Sequence, residues 1–501
     1  MFMTNRIAPL AAMSVMAVAA VYCQAAGTVN AESVQVAPSR DDLATKPSSD
    51  LAAPISSPRQ LLGLFDISEA QLRSFRDGQP PHPDEDALLL KILFRLQKFP
   101  HSDVGRWQRR DVRWEQLAQA PDQYRAEIFH LGGRVRRVDK VRVSEELAKQ
   151  SEFQDYYRVM FQLDGASHPV LICTRNVSEA WTSPTGGGLT MNERASAFGL
   201  FLKAGATGEA GRQLVFAARR VAWHPSRASK QLGTVPDHVL LGDLGMDVGL
   251  FDQVRSRNGK RMGPEGRECF YQLLAAVGRA GDGRLDRHDQ ATSPLGPLLN
   301  DAPAQHGKLV TLAGTARRAV KILVDDPDIR QRFGIDHYYE IEMFVPESVR
   351  VKRNKRDKEG RIFSTFPVVC CVRQLPPGMP EGDEIHDTVR VSGFFFKLWA
   401  YKTEFTSAMG DGRLQVSPLL VARRPQWIPA VTSSNPYGGL VFGCLFVVVL
   451  VGISLLMWRY SRDDRRLERA TRAGRFKTSP GRSAGEADRL ADGKPDFNGL
   501  K

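Results

Sequence analysis

Seven basic residues crowd one short stretch between Pro346 and Phe366: Arg350, Lys352, Arg353, Lys355, Arg356, Lys358 and Arg361. Against Glu347, Asp357 and Glu359 they leave a net charge of +4. Carried on a hairpin tip, such a cluster can grip phosphate, lipid headgroups or an acidic glycan through charge-assisted hydrogen bonds. Arg350, Lys352, Arg353, Lys355 and Arg356 are therefore candidate contacts for an anionic partner, the simpler reading being a solvated loop. A second group is aromatic. Phe394, Phe396, Trp399 and Tyr401 could offer a contact surface on which flat ligands stack. Strand alternation sends Phe395 to the face opposite Phe394 and Phe396, so part of this run must face a core.

The remaining reactive side chains form no constellation. There is no GxSxG, no P-loop, no GxGxxG and no HExxH, so the spacings that place a nucleophile, a phosphate cradle or a zinc ion are missing. Of six cysteines, Cys23 and Cys444 lie in apolar end segments, and Cys173, Cys269, Cys370 and Cys371 contain no CxxC pair. That count is too sparse for a disulfide framework and lacks zinc spacing. No catalytic residue, metal ligand or cofactor is assigned.

The elements that must carry these residues are legible because the chain repeats itself. HLGGRVRRVDKV from His130 parallels TLAGTARRAVKI from Thr311. Tyr156-Tyr157 parallels Tyr338-Tyr339, and Pro169 to Cys173 parallels Pro367 to Cys371. Gly199-Leu200-Phe201-Leu202-Lys203 parallels Gly393-Phe394-Phe395-Phe396-Lys397. Ala218-Arg219-Arg220 with Trp223 parallels Ala422-Arg423-Arg424 with Trp427. Blocks in one order at similar separations mark a duplicated unit. The recurring arginine pairs suit either a shared ligand-binding edge or salt bridges that hold each sheet to its helices.

Each unit opens with helical patterns, Ser68–Phe75 and Asp84–Lys98 in the first, Val248–Arg255 and Pro264–Gly278 in the second. Five β-type stretches follow, punctuated by Gly and Pro. A long first strand with a glycine at 133 or 314, a hairpin, a longer connection and two further strands resembles the OB-fold, a five-stranded closed barrel. The expected class is α+β: two tandem repeats, each a helical segment followed by a small OB-like antiparallel barrel, plus one C-terminal transmembrane helix. Repeat one spans residues 61–230 (helices 61–100, barrel 125–225). Repeat two spans 240–430 (helices 244–280, barrel 306–429).

At 501 residues, with 42% hydrophobic and 25% charged residues, most of the chain has globular composition. The formal charge of +13 is modest over this length. Residues 1–25 resemble a secretion signal, or else an uncleaved N-terminal anchor, 26–60 read as a flexible tether, and 440–458 as an uncharged span followed by a basic tail, 459–501. An arginine-rich flank stays cytoplasmic. These features predict a single-pass protein of bacterial-envelope type, with the repeats extracytoplasmic and the tail inside. The expected role is non-enzymatic binding or scaffolding of an envelope protein or glycan. The alternatives are a membrane-surface hydrolase or transferase with a site between the repeats, and a nucleic-acid-binding protein, the latter disfavoured by the expected location.

Overall fold

The computed structural model describes residues 55–80, 82–166, 168–182, 191–207, 211–281, 283–285, 291–347, 349–351, 361–401, 414–429 and 443–459. The expected signal, nearly all of the tether, the basic tip 352–360 and the tail from 460 onward lie outside them. The chain divides into two units, Met1–Pro429 and Ala430–Lys501.

In the first unit, two helices match the strongest helical patterns. Pro83–Leu96 has proline at its start and Asp84, Glu85 and Asp86 in its first turn, where the exposed backbone N–H groups favour negative charge. It buries Leu89, Leu90, Ile92, Leu93 and Leu96 on one side. Pro264–Arg279 does the same with Cys269, Phe270, Leu273, Leu274 and Val277.

The strands are β1 (Gln108–Arg109), β2 (Ile128–Arg142), β3 (Asp155–Leu163), β4 (Pro169–Thr174), β5 (Glu193–Thr207), β6 (Gly211–Ala218) and β7 (Ala222–Trp223) in the first sheet. The second half contains β8 (Leu309–Leu323), β9 (His337–Val345), β10 (Val349–Val351), β11 (Arg361–Phe363), β12 (Phe366–Val372), β13 (Asp387–Tyr401), β14 (Gln415–Ala422) and β15 (Gln426–Ile428). β2-β3-β4-β6-β5 close on themselves through β2–β5, and β8-β9-β12-β14-β13 close through β8–β13. All these pairs are antiparallel except β4–β6 and β12–β14, which are parallel. Both barrels thus share one connectivity, that of an OB-like barrel, and the α+β expectation stands.

Gly133 shows how one strand serves two sides of so small a barrel. It pairs with Leu163 on β3 and with Ala195 on β5. A Cβ there would lie 2.1 Å from the Gln162 carbonyl oxygen, and at Gly314 2.3 Å from that of Phe344. No side chain fits either approach.

The recurring arginines sit on matched bulges. The β2 register slips between Val135 and Arg137, and the β8 register between Ala316 and Arg318. An extra residue lets Val135 and Val138 both face the interior while Arg136 and Arg137 face out. A second pair of bulges lies at Phe201/Lys203 and Phe395/Lys397. Phe201 and Phe395 point into the barrels, whereas Leu200, Leu202, Phe394 and Phe396 meet the helices. Each repeat therefore has two cores, one inside the barrel and one between barrel and helices.

Lys203 and Lys397 fall on the helix side, and both are buried. Lys203 Nζ meets Glu85 at 2.7 and 2.8 Å. Lys397 meets the carbonyl oxygens of Arg257 (2.7 Å) and Arg261 (3.5 Å). Burial, then the charges of Arg257 and Lys260, pull Lys397 down to about 8. Above that pH the unfolded chain holds more protons than the folded one, so stability rises from about pH 8 toward the free lysine value near 10.4. Lys397→Met is expected to raise the urea midpoint at pH 7 and to abolish that alkaline rise. An unchanged pH profile would show that Lys397 stays solvated.

Residues 280–305 carry no sustained helical or strand period, yet Leu295, Leu298 and Ala302 from this stretch plug the second barrel. The helix Gly296–Asn300 that carries two leucines there is only one turn long, too short for a periodic signal.

The expected transmembrane helix is overturned. In the second unit, residues 443–459 are helical, with Leu445, Phe446 and Trp458 among the exposed side chains. At 1.5 Å per residue that helix is about 25 Å long, short of the roughly 30 Å hydrocarbon layer. Among the described residues no helix is long and apolar enough to cross a membrane. With the span go the single-pass topology, the extracytoplasmic placement of the repeats and the cytoplasmic tail inferred from it; residues 440–442 lie outside the description.

Candidate functional site

The outer face of β2 and β5 presents three rows. In register, His130 lies opposite Phe198, Gly132 opposite Ser196, and Arg134 opposite Arg194. Alternation explains the arrangement: Phe129, Leu131, Val135, Ala195 and Ala197 go inward, and the residues between them go out. Phe198 is 43% exposed, and its ring centroid lies 5.2 Å from that of His130, edge to face. Gly132 has no neighbour closer than 4.0 Å to where a Cβ would stand, so the row between rings and arginines is open.

Two shallow grooves meet on this face at Gly165. One, of about 510 Å³, is lined by Arg134, Arg136, Gln162 and Asp164. The other, of about 570 Å³, is lined by Arg109, Arg110, Arg113, Trp114 and His130. Arg136 bonds the amide oxygens of Gln162 (2.6 and 3.0 Å) and Asn192 (2.8 Å), and Arg134 bonds the Asn192 carbonyl at 3.2 Å. Neutral oxygens hold these guanidinium groups without cancelling their charge. Arg109 differs, being tied to Asp111 at 2.8 and 2.9 Å. Loss of solvent around the His130 ring, then the nearby Arg110 charge, lowers its pKa below the usual histidine value. At neutral pH the imidazole is accordingly an uncharged ring.

A Ser–His pair lies in the middle row. Ser196 Oγ is 2.9 Å from His224 Nε2, and His224 Nδ1 is 2.9 Å from the Met246 carbonyl. A carbonyl only accepts, so Nδ1 carries the proton, Nε2 accepts, and Ser196 donates. Burial foremost holds the His224 pKa down, against the opposing pull of Asp247. The order is that of a nucleophile and its base, at the seam where repeat two begins.

The sequence-derived candidates lie elsewhere. Phe394 and Phe396 are wholly buried, Trp399 is 6% exposed, and Tyr401 stacks on Trp399 at 4.7 Å. All four pack into the core between the second barrel and its helices. Arg350 is placed on β10, whose backbone pairs with β11 as an antiparallel ribbon; Lys352, Arg353, Lys355 and Arg356 lie outside the described residues. The ribbon leaves β9 and returns into β12. Tyr401 pairs with Gln415 at the start of β14, the parallel neighbour of β12. Arg350 and Tyr401 thus share one end of the second barrel.

Sequence reasoning passed over His130, Phe198, Trp114 and Arg134. The signal available was the contrast between repeats, since the aligned second block has Thr311 for His130, Thr315 for Arg134 and Ser392 for Phe198. Among the described residues no group of three or more His, Cys, Asp or Glu could hold a metal ion.

No known protein family and no curated protein sequence matches the chain. Among solved structures, a small single-stranded DNA-binding protein from Streptomyces coelicolor is similar at 13% identity, over 24% of this chain and 94% of that one, with a TM-score of 0.15. The single-stranded DNA binding protein from Thermus aquaticus is similar at 9% identity, over 62% of this chain and 95% of that one, with a TM-score of 0.13. At such scores the fold assignment rests on the strand connectivity described above, which makes this chain a protein of two OB-like barrels.

Proposed function

We propose that the chain is a non-enzymatic binding protein whose first barrel holds an extended polyanion, single-stranded nucleic acid being the kind that fits best. The observation that carries this reading is the adjacency of Arg134 and Arg136, held by neutral oxygens, to the exposed His130–Phe198 ring pair. Guanidinium forks suit phosphate, and an uncharged ring pair offers an unpaired base a face to stack on. Four residues of strand separate His130 from Arg134, about 13 Å, enough for more than one nucleotide. A duplex would hide the base faces, and a glycan would use the arginines more than the rings. The basic tip carrying Lys352, Arg353, Lys355 and Arg356 supplies a second, non-specific contact in this reading.

Fluorescence anisotropy with labelled oligothymidine tests it. Engagement of about four arginines gives a log–log salt slope near −3 for a single strand. Arg134→Ala with Arg136→Ala is expected to flatten that slope by about 1.4, and deletion of 352–360 to flatten it further. Tighter binding of a sulfated glycan than of the oligonucleotide would replace the nucleic-acid reading.

One observation favours a second reading. The Ser196–His224 pair has the tautomer a hydrolase needs for acyl transfer, at the seam between repeats. Covalent labelling of Ser196 by a fluorophosphonate, lost in Ser196→Ala, would establish it; no labelling leaves the pair as a structural clasp.

A further inference from the structure

We infer that the two barrels have divided their labour: the face of rings and arginines belongs to the first alone, and the second is its mount, adding no more than the non-specific contact of its basic tip, so that one chain takes one ligand. This rests on the polyanion reading above and adds the role of the second barrel and the stoichiometry of the site.

The argument is positional, because identical connectivity makes the two outer faces comparable row by row. The ring pair of barrel one, His130 and Phe198, is replaced in register by Thr311 and Ser392. Those two hydroxyls are 2.9 Å apart and satisfy each other. Thr311 is 2% exposed, so the row that offers rings on one barrel is shut on the other. Its backbone is clasped as well: Ser293 N–H donates to the Thr311 carbonyl at 2.7 Å, and the Thr311 N–H donates to Ser293 Oγ at 3.1 Å. In the next row the open space at Gly132 is occupied by the methyl group of Ala313. In the third, Arg134 becomes Thr315. Where Arg109, Arg110 and Arg113 line the groove of barrel one, the segment clasping barrel two, Ala291 to Gly296, carries no charge at all.

Arg317 keeps the place of Arg136 and is held by His386. What the second barrel retains is whatever builds a barrel: the glycine, both bulges and the tryptophan pinned to an acid at the start of the fifth barrel-edge pairing, Trp223 to Glu193 at 3.0 Å and Trp427 to Asp387 at 2.8 Å. Retention of the frame with loss of the face is the pattern expected when one copy is kept for mounting.

The test uses the full chain and fluorescein-labelled oligothymidine of a length that covers one barrel. Titration at protein concentrations well above the dissociation constant should reach its endpoint at one oligonucleotide per chain. The transplant His130→Thr, Arg134→Thr, Phe198→Ser, which puts barrel-two residues at three outward positions, should weaken binding by roughly tenfold or more without lowering the melting temperature. Two oligonucleotides per chain would overturn the division of labour while leaving the polyanion reading intact, whereas unchanged affinity in the folded transplant would overturn the division and the first-barrel site together. A wild-type chain that binds neither oligothymidine nor a sulfated glycan at low salt would overturn both.

Discussion

Asp247→Ala is expected to lower stability by about 3–5 kcal/mol, the usual cost of leaving a buried charge without its partner. Asp247 is 2% exposed. One carboxylate oxygen accepts from the backbone N–H of Trp223 (2.9 Å) and of Gly249 (3.0 Å), and the other accepts from Arg220. Its own N–H donates to Gln272 at 3.1 Å. The residue therefore ties the last strand of barrel one to the entry of the helices of repeat two. Ser178 and the Glu179 N–H reinforce the joint through Asp252, at 3.2 and 2.9 Å. Alanine would strand Arg220 and two buried N–H groups together. Asn, which keeps one acceptor oxygen, should cost less. Urea unfolding followed by tryptophan fluorescence is the measurement; a fall of under about 1 kcal/mol for the alanine variant would mean the repeats are held by apolar packing instead.

A loss of similar size is expected for Glu85→Ala. Its carboxylate receives Lys203 Nζ on both oxygens, the Arg76 N–H at 2.8 Å and the His82 N–H at 3.2 Å. Removing it leaves a lysine 1% exposed with, among the described residues, only the Pro80 carbonyl at 3.2 Å. Breaking such a pair costs about 3–5 kcal/mol, whereas replacing it whole by apolar groups costs far less. The double variant Glu85→Leu, Lys203→Met should therefore recover most of what the single variant loses. Equal thermal stability of Glu85→Ala and wild type would show that Lys203 escapes to water. The contrast with Lys397→Met is informative, because among the described residues the same position in the second repeat has no carboxylate to lose.

The duplication was legible because a barrel this small tolerates little variation at its bends. Gly133 and Gly314 repeat since a carbonyl sits where a Cβ would go. Arg136-Arg137 and Arg317-Arg318 repeat since a bulge turns two consecutive residues outward. Leu200-Leu202 and Phe394-Phe396 repeat as apolar pairs because each faces helices. The aromatic run looked like a possible surface for that same reason: a strand covered on both faces has the same composition as one with a sticky exposed face. Short plugging helices and the joint at Asp247 left no periodic trace.

The amino-acid sequence by itself determined the number of repeats, the order of the main strands and the longest helix ahead of them in each, and which side chains alternate inward. These follow from local sterics and from period-two and period-3.6 burial, properties that neighbouring residues already specify. The tertiary structure alone decided that His130, Phe198 and Arg134 share a face with Arg110 and Arg113, and that Asp247 locks one repeat to the next. It also decided that the apolar helix near the C-terminus, among the described residues, is too short to cross a bilayer. Contacts between strands distant in the chain depend on barrel closure and register, and no local pattern encodes which distant residue a side chain will meet.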